Sequence, residues 1–170
     1  ADGNAQLNIV KPDFMFAPAG ADAVWHREGI ESYRIATRKR ASAKEADKSV
    51  GSVLVTLKSR DDLQDIGDLK NKTVAAGLPD SVPGWLAALG EVQKAGFDPD
   101  EFFAKSEFLF EYYPEILASL WGGKADVAVL PTCMLEALEK DGLVATDQLK
   151  VLHDKSDEAL ACKRSTELYP

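Results

Sequence analysis

Between Lys70 and Leu152 short apolar runs alternate with amphipathic ones in a regular order, and this alternation constrains the fold more than any other feature. Lys72-Thr73-Val74-Ala75-Ala76 predicts a strand closed by Gly77. Pro83 opens a helix that runs to Lys94 or Ala95, with Trp85, Leu86, Leu89 and Val92 on one face and Gly96 past its end. Asp98-Pro99-Asp100-Glu101 is a helix start: Asp98 caps, Pro99 takes the first position and Glu101 reaches back. Glu107 to Phe110 predicts a strand. Pro114 starts a helix carrying Ile116, Leu117 and Leu120 that stops at Gly122-Gly123. Asp126-Val127-Ala128-Val129-Leu130 predicts a buried strand. Thr132 is positioned to cap a helix over Cys133–Lys140, ended by Gly142, and Leu149-Lys150-Val151-Leu152 predicts a last strand. The order is β-α-α-β-α-β-α-β. Crossovers of this kind require a largely parallel sheet with helices on both faces.

The first third is less regular. Asp13-Phe14-Met15-Phe16-Ala17 predicts a strand stopped by Pro18, Ala21–Arg27 a short helix ended by Gly29, and Tyr33-Arg34-Ile35-Ala36-Thr37 a second strand. Residues 41–49 read as a polar loop, Val50–Leu57 as a clear strand, and Asp61–Leu69 as a short helix or turn.

At 170 residues, 45 % of them hydrophobic and 28 % charged, the chain suits one domain or two small lobes with a real core. Acids outnumber bases 28 to 20, a net charge of −8. The densest basic stretch, Arg38-Lys39-Arg40 followed by Lys44, is a solvated strand end and loop, so no nucleic-acid partner is expected. No apolar run approaches the ~20 residues of a membrane span, so no membrane contact is expected within these residues. No basic-then-apolar signal peptide is present, and Ala1-Asp2-Gly3-Asn4 reads as the start of an excised fragment, which leaves a secreted or membrane-tethered parent open.

Ligands of parallel sheets bind at the carboxyl ends of strands, where helix starts offer free N–H groups and partial positive charge. Three loops share that edge: Gly77–Trp85, Phe110–Pro114 and Leu130–Cys133. Surface carboxylates more than ~8 Å away are screened, so the net charge does not forbid an anion. Trp85, Phe110, Tyr112 and Tyr113 are the aromatic residues of this edge. Phe110, ending a strand, is expected in the core, and at least one of the two tyrosines is expected at the surface.

Cys133, in a first helical turn, is either a stabilised thiolate or a small buried hydrophobe. Cys162 lies in a polar tail. Two cysteines suffice for one bridge, a redox pair or two unrelated thiols, and connectivity is not deducible. His26 and His153 lack metal-ligand spacing. With no nucleophile elbow, phosphate loop or nucleophile–base pair, neither a catalytic residue nor a metal or cofactor is expected.

Several segments resemble known ones. Asp65-Ile66-Gly67-Asp68-Leu69-Lys70-Asn71-Lys72-Thr73-Val74 resembles the "ADLKGKxV" entry to the second lobe of periplasmic binding proteins. Ser81-Val82-Pro83-Gly84 resembles the anion-binding "S-x-x-G" turn of the phosphate/phosphonate-type members, and Gly123–Val129 resembles their "GKADVGV" strand. Leu130-Pro131-Thr132-Cys133-Met134-Leu135-Glu136 and Ala161-Cys162-Lys163-Arg164-Ser165-Thr166-Glu167-Leu168-Tyr169-Pro170 look like the "RTCxLE" and "C-x-x-ST-x-LYP" segments of the sensor part of tetrathionate-sensor-type histidine kinases. The resemblance covers about Pro12 to Pro170.

What the resemblance implies is an α/β fold of the periplasmic-binding-protein type II kind, with a mixed, mostly parallel sheet. Residues 1–65 would be a partial first lobe and hinge, 66–153 a complete second lobe, and 154–170 a segment returning toward the first lobe. The implied function is non-catalytic: extracytoplasmic sensing of a small oxoanion or sulfur compound by inter-lobe closure, ahead of a kinase. The implied partners are that ligand, a missing first-lobe segment, the parent's kinase domains and a second copy in a homodimer. The resemblance implies ligand contacts from Ser81, Gly84, Tyr113, Thr132 and Cys133, to which Val82, Trp85 and Tyr112 are added as candidates from the same edge, and makes Cys133 and Cys162 a redox or disulfide pair. Two departures stand out. The family's first-lobe "TNPGHY" turn is Phe16-Ala17-Pro18-Ala19-Gly20-Ala21 here, and Pro131 replaces the arginine of "RTC", which removes a cation and leaves either a less charged ligand or a degenerate site. The rival readings are a solute-binding protein of an ABC transporter for phosphate- or phosphonate-like anions, a thiol redox sensor using Cys133 and Cys162, and a cytoplasmic effector domain of a transcription regulator.

Overall fold

The computed structural model describes residues 7, 9–17, 20–110 and 112–170. They divide into two compact units, 1–38 and 39–170. In the first, helix α1 (Ala21–Arg27) is the principal element, and Gly29 past its end takes the left-handed conformation its sequence position anticipates. Arg34 pairs with Asp22 at 3.0 Å, and the Arg38 guanidinium stands 5.0 Å over the Phe16 ring. The strands expected at 13–17 and 33–37 do not form. Phe14, Phe16, Tyr33 and Ile35 are all exposed. Alternation predicts which face a strand would bury, but a strand exists only where a second one accepts its ladder bonds. The turn expected at Phe16–Ala21 lies partly outside the described residues.

In the second unit, strands β1 (Ser52–Leu57), β2 (Thr73–Ala76), β3 (Lys105–Phe108), β4 (Val127–Pro131) and β5 (Leu149–Leu152) form one sheet in the order β3-β2-β4-β1-β5. β2 pairs parallel with β3 and β4, and β1 runs antiparallel between β4 and β5. The fold is therefore α/β with the mixed, mostly parallel sheet expected. β1 lies within the stretch 1–65 read as first lobe and hinge, yet it is an interior strand of this sheet, because all its residues from Ser52 to Thr56 are buried and need cover on both faces.

The strand period of two sorts the core into two layers. On one face Leu54, Val74, Ala76, Val127 and Val129 pack with Leu63, Phe102 and the residues Trp85, Ala88 and Val92 around helix α2 (Ala87–Lys94). On the other, Val53, Val55, Ala75, Ala128 and Leu130 meet Ile116, Leu117 and Leu120 of helix α4 and Leu135 and Leu138 of helix α5. α4 spans Tyr113–Trp121 and α5 spans Met134–Lys140. The short helix α3 (Pro99–Phe102) stands between α2 and β3. Each fully buried Leu or Val contributes about 1.5–3 kcal/mol, so these two layers are the unit's main apolar stabilisation.

Locally the expected signals hold with some shifts. Asp98 caps α3 by accepting from the Asp100 N–H at 3.0 Å. The helix expected from Pro83 starts as a π-helical turn (Val82–Leu86) before α2, which rotates Leu86 off the buried face and leaves it exposed. Phe110, expected in the core, is 80 % exposed with φ of +47°. β3 ends two residues earlier, at Phe108, and the left-handed turn swings the Phe110 ring outward. Residues 153–169 cross the sheet end as a strap beside β1: the Ser165 N–H donates to the Ser52 carbonyl (2.8 Å), and Val50 and Tyr169 exchange backbone bonds of 3.0 and 2.7 Å.

Candidate functional site

The carboxyl ends of β2, β3 and β4 lie along one edge, and because β1 is antiparallel its first residues lie there too. Segments 77–84, 131–133 and 51–52 meet at this edge, and residues 109–110 and 112–113 follow β3 along it. The Ser52 hydroxyl donates to the Pro83 carbonyl (2.8 Å). The Gly51 N–H donates to the Thr132 hydroxyl (3.2 Å), and the Thr132 N–H returns a bond to the Gly51 carbonyl (2.9 Å). The Ser52 N–H donates to the Thr166 hydroxyl of the strap (2.8 Å). A Cβ on Gly51 would stand 2.8 Å from the Glu167 carbonyl oxygen, so only glycine lets the strap approach this closely.

Ser81 caps the turn that leads into α2: its hydroxyl accepts from the Gly84 N–H at 3.1 Å, and its carbonyl accepts from the Trp85 and Leu86 N–H groups. Val82 is half-buried and Gly84 buried. Trp85 is 7 % exposed and stacks edge-on with Phe108 and at a tilt with Phe103, so it forms the floor beneath the loop and belongs to the core. Tyr112 precedes α4 and is 59 % exposed, while Tyr113 packs against the second core layer.

Thr132 does not cap α5. Its hydroxyl is taken by Gly51, and Cys133 holds the N-cap position with φ of +69° and no side-chain capping bond. Cys133 is disulfide-bonded to Cys162, with Cα atoms 5.0 Å apart, which closes the choice between thiolate and buried thiol. The bond ties the start of α5 to the tail segment that pairs with residues 42–44 through Lys44 N–H to Ala159 O and Ala161 N–H to Ser42 O.

Sequence reasoning passed over Gly51, Ser52 and Thr166, which hold the edge together. The available signal was a glycine–serine pair opening an otherwise apolar strand, and the Ser165-Thr166 pair in the tail. The ionisable groups with displaced titration sit elsewhere. Burial raises the Asp126 carboxyl, but the Thr73 N–H and the Arg60 guanidinium outweigh it and bring it below the usual range. Those partners stand 2.8 and 2.5 Å away, locking β4 to β2 at the amino end of the sheet. Among the described residues no group of three His, Cys, Asp or Glu side chains could hold a metal ion.

A family model described as the periplasmic substrate-binding protein of phosphonate ABC transporters matches residues 13–168. The chain belongs to that family. The chain is 28 % identical over 135 residues to the tetrathionate sensor histidine kinase TtrS of Salmonella typhimurium, a match covering 78 % of this chain and 22 % of the kinase. Among solved structures, the binding component of a phosphonate ABC transporter from Pseudomonas aeruginosa is 26 % identical, with a TM-score of 0.50 over 65 % of this chain and 37 % of that one. A Xanthomonas citri protein solved with ATP shares the fold at 14 % identity, with a TM-score of 0.52 over 75 % of this chain and 47 % of that one. The fold is that of the type II periplasmic binding proteins, and this family member spans about a fifth of the curated relative and under half of these structures.

Proposed function

We propose that this chain is the ligand-gripping part of an extracytoplasmic sensor domain that takes a small oxoanion or sulfur compound at the carboxyl edge of its sheet. The observation that carries the reading is the convergence of loops 77–84 and 131–133 on the first residues of β1, fastened by the Ser52–Pro83 and Gly51–Thr132 bonds. Ser81, Val82, Gly84, Tyr112, Tyr113, Thr132 and Cys133 would line the ligand, and Trp85 would support them from below. Closure of a first lobe on the ligand would shift an open–closed equilibrium; a tenfold shift requires about 1.4 kcal/mol of differential binding.

The likeness to a sensor kinase over most of the chain supports signalling as the output, with kinase domains in the parent chain. The disulfide fits an oxidising compartment, which supports a periplasmic or extracellular location over the cytoplasmic effector reading. The family match equally supports a second reading, delivery of a phosphonate-like anion to an ABC transporter. A parent reading frame that continues into a membrane span and kinase selects the first reading, and a stop codon the second.

The binding test is a thermal-shift series with phosphate, methylphosphonate, sulfite, thiosulfate and tetrathionate, with and without reductant. A ligand at about 100 times its Kd adds about 2.7 kcal/mol, several degrees in Tm. A rise with one anion in both redox states is the expected result. A rise with tetrathionate alone, abolished by reductant, points to thiol chemistry instead, and no rise with any of them overturns binding by this chain.

A further inference from the structure

Beyond Phe108 the chain leaves β3 through a strained turn that carries two exposed aromatic rings. Phe108 is in register with Ala76, the last residue of β2, and the Leu109 N–H still donates to the Ala76 carbonyl (2.9 Å), so Phe110 emerges beside the start of the 77–84 turn. The Tyr112 N–H closes the turn by donating to the Leu109 carbonyl at 3.0 Å. Phe110 takes φ of +47°, a region that a bulky side chain rarely enters. Its ring is 80 % exposed, and that of Tyr112 stands out as well. Beneath them the aromatic residues are packed: Trp85 lies edge-on to Phe108 with ring centroids 5.3 Å apart. Phe110 therefore combines two unfavourable features. Its backbone conformation is one that glycine or asparagine takes readily, and its ring sits in water with little protein surface to offset either.

We infer that Phe110 is a specificity-determining residue of the carboxyl edge, the seat for an apolar substituent of an organic anion such as an aryl phosphonate or aryl sulfonate. The inference rests on the reading of that edge as the ligand site. Strain that the packing of the fold does not require is a mark of a functional position, and the place of Phe110 says which function. The adjoining turn presents the Ser81 hydroxyl ahead of α2, polar surface that suits the oxygens of an anion. A bare oxoanion such as phosphate or sulfite has nothing to set against Phe110, because the face of an aromatic ring carries partial negative charge. A hydrocarbon group on the phosphorus or sulfur does: stacked on the ring, it takes its own apolar surface and that of Phe110 out of water. The exposed ring thus favours ligands with an apolar group larger than methyl.

The test is isothermal titration of the whole chain with two pairs of probes, methylphosphonate against phenylphosphonate and methanesulfonate against benzenesulfonate. It is run on the wild type and on Phe110→Gly, which accepts the left-handed backbone and removes the ring. In at least one pair the phenyl member should bind the wild type about tenfold more tightly than the methyl member, and the two should bind the variant about equally. Equal binding of phenyl and methyl members by the wild type overturns the inference, as does a variant that keeps the preference. A wild-type dimer in sedimentation that Phe110→Gly dissolves would make a second copy the ring's occupant and overturn it too. Binding of none of the probes overturns the reading of the edge itself, an outcome distinct from binding without preference. Should Phe110→Gly fail to fold, Phe110→Asn, which also tolerates this backbone, takes its place with the same outcomes.

Discussion

The hydroxyl of Ser52, the first residue of β1, lies 2.8 Å from the carbonyl oxygen of Pro83, thirty-one positions along the chain. Ser52 is fully buried, so this bond is the direct link between an interior strand and the turn that opens α2. Ser52→Ala leaves the Pro83 carbonyl without that donor. The expected cost is about 1–3 kcal/mol in urea unfolding, with hydrogen-exchange protection lost first at residues 82–86. A loss spread evenly over the sheet would show that the bond does not hold the turn.

Gly51 tests the fit between strap and sheet. In Gly51→Ala the new methyl carbon meets backbone at 2.8 Å, a contact no flexible side chain can relieve. The strap must shift, at a cost of about 1–3 kcal/mol, and protease sensitivity should appear in the tail before it appears in the core.

Reducing the Cys133–Cys162 bond frees a loop of 29 residues in the unfolded chain. The loop-entropy relation gives about 3–4 kcal/mol of lost stability, readable as a lower urea midpoint in the presence of reductant. Cys162→Ser should show the same midpoint with and without reductant. A midpoint for the wild type that ignores reductant would mean the bond contributes nothing.

Asp126 carries an acid-side prediction. Its folded carboxyl titrates below the ordinary range, so the charged form is what the native state favours. Its contribution is complete above about pH 4 and fades as pH falls through the depressed folded value. Asp126→Asn should destabilise by about 1–3 kcal/mol at neutral pH, and the gap to the wild type should narrow below about pH 3.

The second unit was largely legible because its signals are local. The runs Thr73–Ala76 and Val127–Leu130 can be satisfied only inside a sheet, and Pro99 and Gly142 mark helix ends by their own backbone restrictions. What was not legible depends on partners distant in sequence. Residues 13–17 and 33–37 have strand composition but no strand to pair with among the described residues. Thr132 looks like a cap, but the Gly51 N–H, eighty-one positions away, takes its hydroxyl. Of the candidate site, the three loops could be placed on one edge from spacing alone. The segment that fastens them could not, since nothing local reveals that β1 runs antiparallel.

That reversal of β1 has a topological consequence. Val50, where the chain enters the sheet, and Tyr169, where the strap ends, are hydrogen-bonded neighbours. The stretch between them is in effect a closed ring with its two ends clasped, a module that can be inserted into a longer chain or circularly permuted without stretching any of its strands.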